Sequence, residues 1–443
     1  MNTRELGLAI CTALVVGNTI GMGIFMQPAA LAPYGLNALT GWLAVIVGCT
    51  SLAIVFAALA RRMPQADGPF DYVRSTLGEP TAFAAMWCYW ISTVVTLPAL
   101  AVAVVGYFIS VFPASQAVPP AALTVGFMWL FVGVNLLGVK SGGRVQVITS
   151  LLKLVPLVLV MLLGAIAILA EPAAYAANLP TSPPVGLQPS MAAATIALYA
   201  MLGFESATVA AGRAKDPERT IPRATLIGTL VVAIIYVAIV GIGMLLVPQA
   251  TLAKSDAPFV TIIDSLLGAG YGRWLALFVV ISGLGCLNGW TLLVAELART
   301  LAIKKLMPEA MGRLNRFGVP WIGLLVIGAL ATFIGLMNYS ESLVAGFTLL
   351  SVIVTAANLP LYLCVALALF VLRRRDPAAL SPALWLAGAG GLAFAAFAFI
   401  GVGKEPFLWA LALALAGLPV YFLMRKAHPT PVAQKELKGM RPL

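Results

Sequence analysis

Apolar runs of about 20 residues, each long enough to cross a bilayer as a helix, follow one another along almost the whole chain. Twelve such spans are predicted, over about 6–32, 38–60, 82–112, 119–138, 145–170, 189–212, 224–247, 270–301, 319–337, 343–372, 381–402 and 405–424. A soluble core has no room for so much hydrocarbon. Of 443 residues, 61% are hydrophobic and 10% are charged, whereas a soluble domain carries about 25% charged residues. The stretches between spans are too short to fold alone. The first span is too long and too glycine-interrupted for a signal peptide, and no cleavage-site pattern follows it.

The net charge of +11 would suit a polyanion partner, but its distribution points elsewhere. With the N-terminus inside and loops assigned alternately, Lys254, Arg273 and Lys404 fall on the outer side, and Lys153 falls within a span. The other basic residues, including Arg61, Arg62, Arg74, Lys304, Lys305 and Arg373 to Arg375, lie on the inner side. This asymmetry is the positive-inside rule. It predicts a multi-pass protein of the cytoplasmic membrane with both termini in the cytoplasm, and it gives no role to nucleic acid.

Cys11, Cys49, Cys88, Cys286 and Cys364 all fall in spans at no ligand-like spacing. They read as small packing residues rather than metal ligands or disulfides. The only histidine, His428, lies beyond the last span. A histidine-based metal site or catalytic triad inside the membrane is therefore excluded. No cofactor or metal is expected, and an enzyme is a remote reading.

The first span contains Asn18-Thr19-Ile20-Gly21-Met22-Gly23-Ile24-Phe25. Glycines there free backbone groups that hydrocarbon cannot satisfy, which is tolerated where they line a cavity. The sixth span repeats the feature at Tyr199-Ala200-Met201-Leu202-Gly203-Phe204-Glu205-Ser206. Interrupted helices five spans apart point to an inverted-repeat transporter. The fold class expected is an all-α integral membrane protein of twelve transmembrane helices with a 5+5 inverted repeat and discontinuous helices 1 and 6. The repeats cover about 6–170 and 189–372, helices 11 and 12 about 381–424, and the tail 425–443. Between spans 2 and 3, residues 61–77 suit a short interfacial helix after Asp67-Gly68-Pro69, and the proline-rich 171–188 reads as a plain external loop.

At the first break, the amides of Gly21, Met22 and Gly23 would open a half-helix whose N-terminal dipole suits a carboxylate. Carbonyls from Tyr199 to Leu202 would be free to accept from an ammonium. Together they describe an α-amino acid site, with close helix packing as the competing reading of the glycines. Glu205, a carboxylate deep in span six, marks an ion, proton or substrate path, or else pairs with an inner-side arginine. Lys153 either snorkels to the interface or supplies a fixed cation beside the first break. Trp290, mid-span in helix eight, either gates a cavity or fills space.

Two runs resemble the amino acid–polyamine–organocation superfamily: Gly17 to Phe25 with Pro28, and Gly203 to Ala207 followed by Lys215-Asp216-Pro217-Glu218-Arg219-Thr220-Ile221-Pro222-Arg223-Ala224. Tyr89-Trp90 and Gly289 to Leu293 extend the resemblance, which looks closest to bacterial arginine/agmatine and putrescine/ornithine antiporters. It implies that the Met22 and Gly23 amides hold a substrate carboxylate, and that the carbonyls of Thr19, Tyr199 and Leu202 take its amine. It further implies proton sensing and gating at Glu205, closure over the substrate by Trp290, a distal gate at Tyr89, and a homodimer.

Departures from that pattern bear on substrate. Leu97 stands where the arginine/agmatine antiporters have an asparagine, and Tyr199 where they have a stacking tryptophan. Ile353 and Leu361 replace a serine and a tyrosine of span ten, and Lys153 resembles the lysine of sodium-independent relatives. A pocket lined by Ser92, Thr93, Leu97, Tyr199, Trp290 and Ile353 is more apolar than one built for a guanidinium. The expectation is sodium-independent exchange of an amino acid or amine by alternating access. Proton-coupled uptake of a neutral amino acid is the alternative.

Overall fold

The computed structural model describes residues 7–63, 66, 68–138, 151–180, 183–203, 217–340, 342–375 and 381–427. Among them the backbone is helix and turn, save one isolated bridge between Leu314 and Pro320. The first predicted span is two helices, α1 (Leu8–Thr19) and α2 (Gly23–Leu31). They meet at a bend of 53° across Ile20 to Met22. There follow α3 (Asn37–Arg62), α4 (Pro69–Leu77), α5 (Glu79–Val111), α6 (Pro120–Leu136), α7 (Leu154–Ala170) and α8 (Leu187–Met201). The second half comprises α9 (Pro217–Leu246), α10 (Pro258–Leu267), α11 (Gly272–Ile303), α12 (Trp321–Met337) and α13 (Leu343–Arg375). The last helices are α14 (Pro382–Gly401), α15 (Lys404–Leu415) and α16 (Gly417–Ala427).

Seven of these units are long and apolar enough to cross a membrane: α3, α5, α9, α11, α13, α14 and the α15–α16 pair. The bent α1–α2 pair makes an eighth. Helices α6, α7 and α12 have 17 residues each, roughly 25 Å of rise, a little short of the hydrocarbon thickness. Two elements differ from the sequence expectation. Residues 171–188, expected as a plain loop, carry a short helix at Pro172–Ala176, and α10 forms between spans 7 and 8 where no element was expected. Helix α10 buries Phe259, Ile262 and Ile263 on one side. At ten residues it was too short to register as a span. The short interfacial helix is present as α4, started by Pro69 and anchored by buried Phe70, Tyr72 and Val73.

Helices α5 and α13 pack along each other and form the centre, each 78% buried over its most apolar stretch, against 11% for Lys404–Lys426. Around this pair stand α11, α12 and α6 on one side, and α8, α3 and α14 on the other. Every residue of α2 is buried, enclosed by α5, α8, α9, α10 and α13. The lipid-side surface is apolar, with Leu43, Val47, Leu162, Ile166 and Ile234 exposed. In a bilayer these side chains meet acyl tails rather than water.

The chain direction gives the bundle two faces. One carries Arg61, Arg62, Arg74, Lys304 and Lys305 and is the basic face; the other carries Lys254, Arg273 and Lys404. On the basic face Lys304 Nζ lies 3.0 Å from Asp71 Oδ2 and 5.1 Å from the Phe70 ring centre, tying α4 to the end of α11.

Candidate functional site

The break in the first span meets the C-terminal end of α8, and residues 204–216 that follow lie outside the described residues. Helix α8 ends at Met201, and Gly203 turns the chain away with φ of 106°, a left-handed conformation open to glycine at little cost. A side-chain carbon on Gly203 would lie 3.2 Å from the Asn18 carbonyl oxygen. The C-terminal end of α8 is thus pressed against the last turn of α1. At the other end of the contact, a carbon on Gly23 would lie 3.1 Å from the Tyr199 ring and 3.2 Å from the Ala200 backbone. Both glycines therefore serve close backbone approach here.

Between the breaks lies a cavity of about 40 Å³. It is lined by Asn18, Thr19, Gly21, Met22 and Gly23 from the first break, and by Tyr199, Ala200 and Leu202 from the second. Tyr89, Ser92, Thr93, Thr96 and Leu100 of α5, Trp290 of α11 and Asn358 of α13 complete the wall. This volume holds roughly three waters, so an amino acid enters only if the walls part.

The α1 side of the break is heavily partnered. Lys153, buried just before α7, donates its ammonium to the Gly17 carbonyl. That carbonyl belongs to the last turn of α1, the negative end of the half-helix dipole. Lys153 is thus buried beside the first break in this structure. The Tyr236 hydroxyl of α9 donates to the Thr19 carbonyl at 3.2 Å and also stands against the Gly21 amide. The Cys286 thiol of α11 stands against the Met22 amide. At the start of α2, Phe25 donates to the Met22 carbonyl at 3.2 Å, while the amides of Gly23 and Ile24 open the helix with no partner inside it. On the α8 side Leu202 donates to the Tyr199 carbonyl at 3.3 Å, so that oxygen keeps one lone pair rather than two.

Of the residues singled out from sequence, Thr19, Gly21, Met22, Gly23, Tyr89, Ser92, Thr93, Tyr199, Leu202 and Trp290 come together around this cavity. Leu97 and Ile353 do not line it. Both are buried within α5 and α13, and Thr96, Leu100 and Asn358 occupy the wall instead. One helical step of offset turns a residue from cavity to packing face, and the expected lining by Leu97 and Ile353 is corrected on that ground. Glu205 and His428 lie outside the described residues. Sequence reasoning passed over Tyr236, Cys286 and Asn358. Asn358 carried a signal, being an amide inside an apolar span two residues before Pro360.

The cavity is shut toward the face opposite the basic one. Tyr199 of α8 and Phe347 of α13 meet edge to face with ring centres 5.5 Å apart. Gln27 of α2 donates to the Ile196 carbonyl of α8 at 2.9 Å, so the two half-helices are joined above the breaks. The Tyr107 hydroxyl of α5 donates to the Phe25 carbonyl at 2.7 Å and accepts from the Phe259 amide at 3.2 Å, binding α2 and α10 to α5. Beyond this seal opens a separate vestibule of about 660 Å³ with Ala30, Tyr34, Asp256, Thr348, Val352 and Glu405 in its wall. On the basic side Asn18 is exposed, and Tyr89, Leu202 and Trp290 are half-buried.

Among the described residues no three His, Cys, Asp or Glu side chains gather as a metal site, and all five cysteines are free thiols.

A family model described as amino acid permease matches residues 6–424. A cadaverine/lysine antiporter of Escherichia coli (strain K12) is 32% identical over 345 residues, covering 76% of each chain. The putrescine transporter PotE of Haemophilus influenzae is 28% identical over 428 residues, covering 95% of this chain and 97% of its own. Its Escherichia coli (strain K12) counterpart is 27% identical over 431 residues, covering 95% and 96%.

Proposed function

The chain belongs to the amino acid permease family, and on that premise we propose that it is a sodium-independent exchanger of amino acids or amines. It works in a cytoplasmic membrane by alternating access, with twelve spans, a 5+5 inverted repeat and both termini in the cytoplasm. The observation that carries this reading is the Lys153 ammonium on the Gly17 carbonyl at the first break. A cation bound at the negative end of a half-helix, next to a cavity walled by helix ends, does the work that a bound sodium ion would otherwise do.

In this reading the Gly23 amide at the start of α2 receives the substrate carboxylate, and the remaining lone pairs of Thr19 and Tyr199 receive its α-amine. The seal of Tyr199 on Phe347 keeps the cavity from the outer vestibule, while Trp290 and Tyr89 stand on the cytoplasmic side. The described arrangement is then the outside-closed state, contracted without substrate. Turnover opens one side after the other has closed. Two relatives carry the printed activities of cadaverine/lysine antiport and putrescine transport, which favours amines and amine-bearing amino acids as candidates.

Counterflow in proteoliposomes without sodium tests the proposal. The purified chain should exchange labelled substrate against internal substrate, and Lys153→Ala should lose at least tenfold in rate, since a hydrogen bond to a charged group stabilises by about 1.5–3 kcal/mol. A Lys153→Ala variant that exchanges normally, or a wild type that needs sodium, would remove the proposal. Accumulation into liposomes empty of substrate under a proton gradient would favour symport of neutral amino acids instead.

A further inference from the structure

Three buried polar atoms in the central cavity have no hydrogen-bond partner: Thr19 Oγ1, the Tyr199 hydroxyl and Asn358 Oδ1. Asn358 is the one that local structure does least to account for. It is 2% exposed, on one of the two central helices of the bundle, and it lines the cavity. Leaving a buried carbonyl oxygen unpaired costs about 1–3 kcal/mol. An apolar residue there would avoid that cost, so the amide points to a group that arrives only with the ligand.

The facing wall on α5 sets the chemistry of that group. Ser92 Oγ donates to the Tyr89 carbonyl at 2.6 Å, Thr93 Oγ1 to the Trp90 carbonyl at 2.6 Å, and Thr96 Oγ1 to the Ser92 carbonyl at 2.8 Å. Each hydroxyl has one proton, and each has committed it to its own helix. What these three side chains can still offer the cavity is lone pairs. With Asn358 Oδ1, this end of the site consists of acceptors, whereas the start of α2 consists of amide donors. A carboxylate is served at the α2 end and unserved at the α5–α13 end. A second ammonium on the substrate is served at the α5–α13 end and finds only like-signed donors at α2.

We propose that Asn358, backed by the proton-committed hydroxyls of Ser92, Thr93 and Thr96, is the residue that selects substrates carrying a second, distal amine. The inference rests on the exchanger reading and refines it. The substrate class is a basic amino acid or linear diamine with a primary ammonium at its far end. Selection is made by neutral oxygens, four acceptors around one ammonium, in place of the asparagine that Leu97 does not supply.

Lysine and norleucine, which differ only in the distal ammonium, are the probes. In proteoliposome counterflow the wild type should have a KM for lysine at least tenfold below that for norleucine. Asn358→Leu should raise the lysine KM ten- to a hundredfold, the range of one hydrogen bond to a charged group, and shift the norleucine KM far less. Asn358→Asp, of nearly equal volume, should keep or sharpen the lysine preference and so guards against a packing effect. An Asn358→Leu variant with undiminished preference for lysine overturns the proposal. So does equal loss of both substrates in that variant with no recovery of lysine preference in Asn358→Asp. A wild type that exchanges only norleucine and other neutral amino acids sinks the selection by Asn358 and spares the exchanger. A wild type that exchanges neither amino acids nor amines sinks the exchanger itself.

Discussion

Gly23 sits where three demands coincide: it opens α2, faces the cavity, and lies against the Tyr199 ring and the Ala200 backbone. A methyl group there would be 3.1 Å and 3.2 Å from those neighbours, tighter than van der Waals contact, and it would cover the amides that await a carboxylate. Gly23→Ala is expected to fold yet lose most exchange, with a raised KM as the mark of a covered carboxylate site. Unchanged KM in counterflow would refute that role. Glu205 is expected to tune turnover with pH, so Glu205→Gln should flatten the pH profile of exchange, and an unaltered profile would end that assignment. At this scale the sequence was readable where chemistry is written locally. Gly21 to Gly23, Lys153 and Trp290 each break the rule for an apolar span. Tyr236 and Cys286 were not readable, because a tyrosine and a cysteine in apolar helices look like packing until another helix brings a break against them.

Among elements, the seal above the breaks is built by α2, α5, α8, α10 and α13. One close backbone contact in it is between α5 and the segment before α10, where a side-chain carbon on Gly106 would lie 2.2 Å from the Asp256 carbonyl oxygen. The same residue holds the start of α13, since Asp256 Oδ1 accepts from the Val344 amide at 2.9 Å. Gly106→Ala must push this segment away, at a cost of about 1–3 kcal/mol typical of overpacking, and it does so in the closed arrangement. The variant is therefore expected to favour the outside-open state. A cysteine placed at Leu100, on the cavity wall, in a background lacking the five native thiols, should react several-fold faster with an impermeant reagent added outside. Equal rates with and without Gly106→Ala would count against α10 as part of the seal. Long apolar helices were legible from hydropathy alone, to within a few residues at most ends. Helix α10 was not, because ten residues with one apolar face resemble a loop to any window tuned to a membrane thickness.

Over the whole molecule, the charge asymmetry predicts which face of the bundle lies in the cytoplasm. Lys254 and Lys404 are exposed on one face and Lys305 on the other. In intact cells a membrane-impermeant maleimide should label Lys254→Cys and Lys404→Cys and should spare Lys305→Cys until the membrane is permeabilised. The reverse pattern would invert the topology. The break of the first span was foreseeable because interruptions in hydrocarbon are expensive and so are kept for a purpose. The composition of the pocket was less so. Substituting one helix position for its neighbour, as between Leu97 and Thr96, changes an apolar wall into a row of oxygens, and hydropathy is blind to which face a residue takes.

The covalent attachment of the Lys153 ammonium has an electrical consequence. A carrier that borrows its positive charge from solution must deliver that ion with every cycle, and the ion's gradient then sets the direction of flow. Here the charge at the first break belongs to the polypeptide and is never handed over. If the chain exchanges as proposed, the current drawn per turnover would be the difference in valence between the two molecules exchanged. Swapping a monovalent basic amino acid for a divalent diamine would move one net charge, worth about 2.3 kcal/mol at 100 mV. The membrane voltage alone could then decide which of the two leaves the cell.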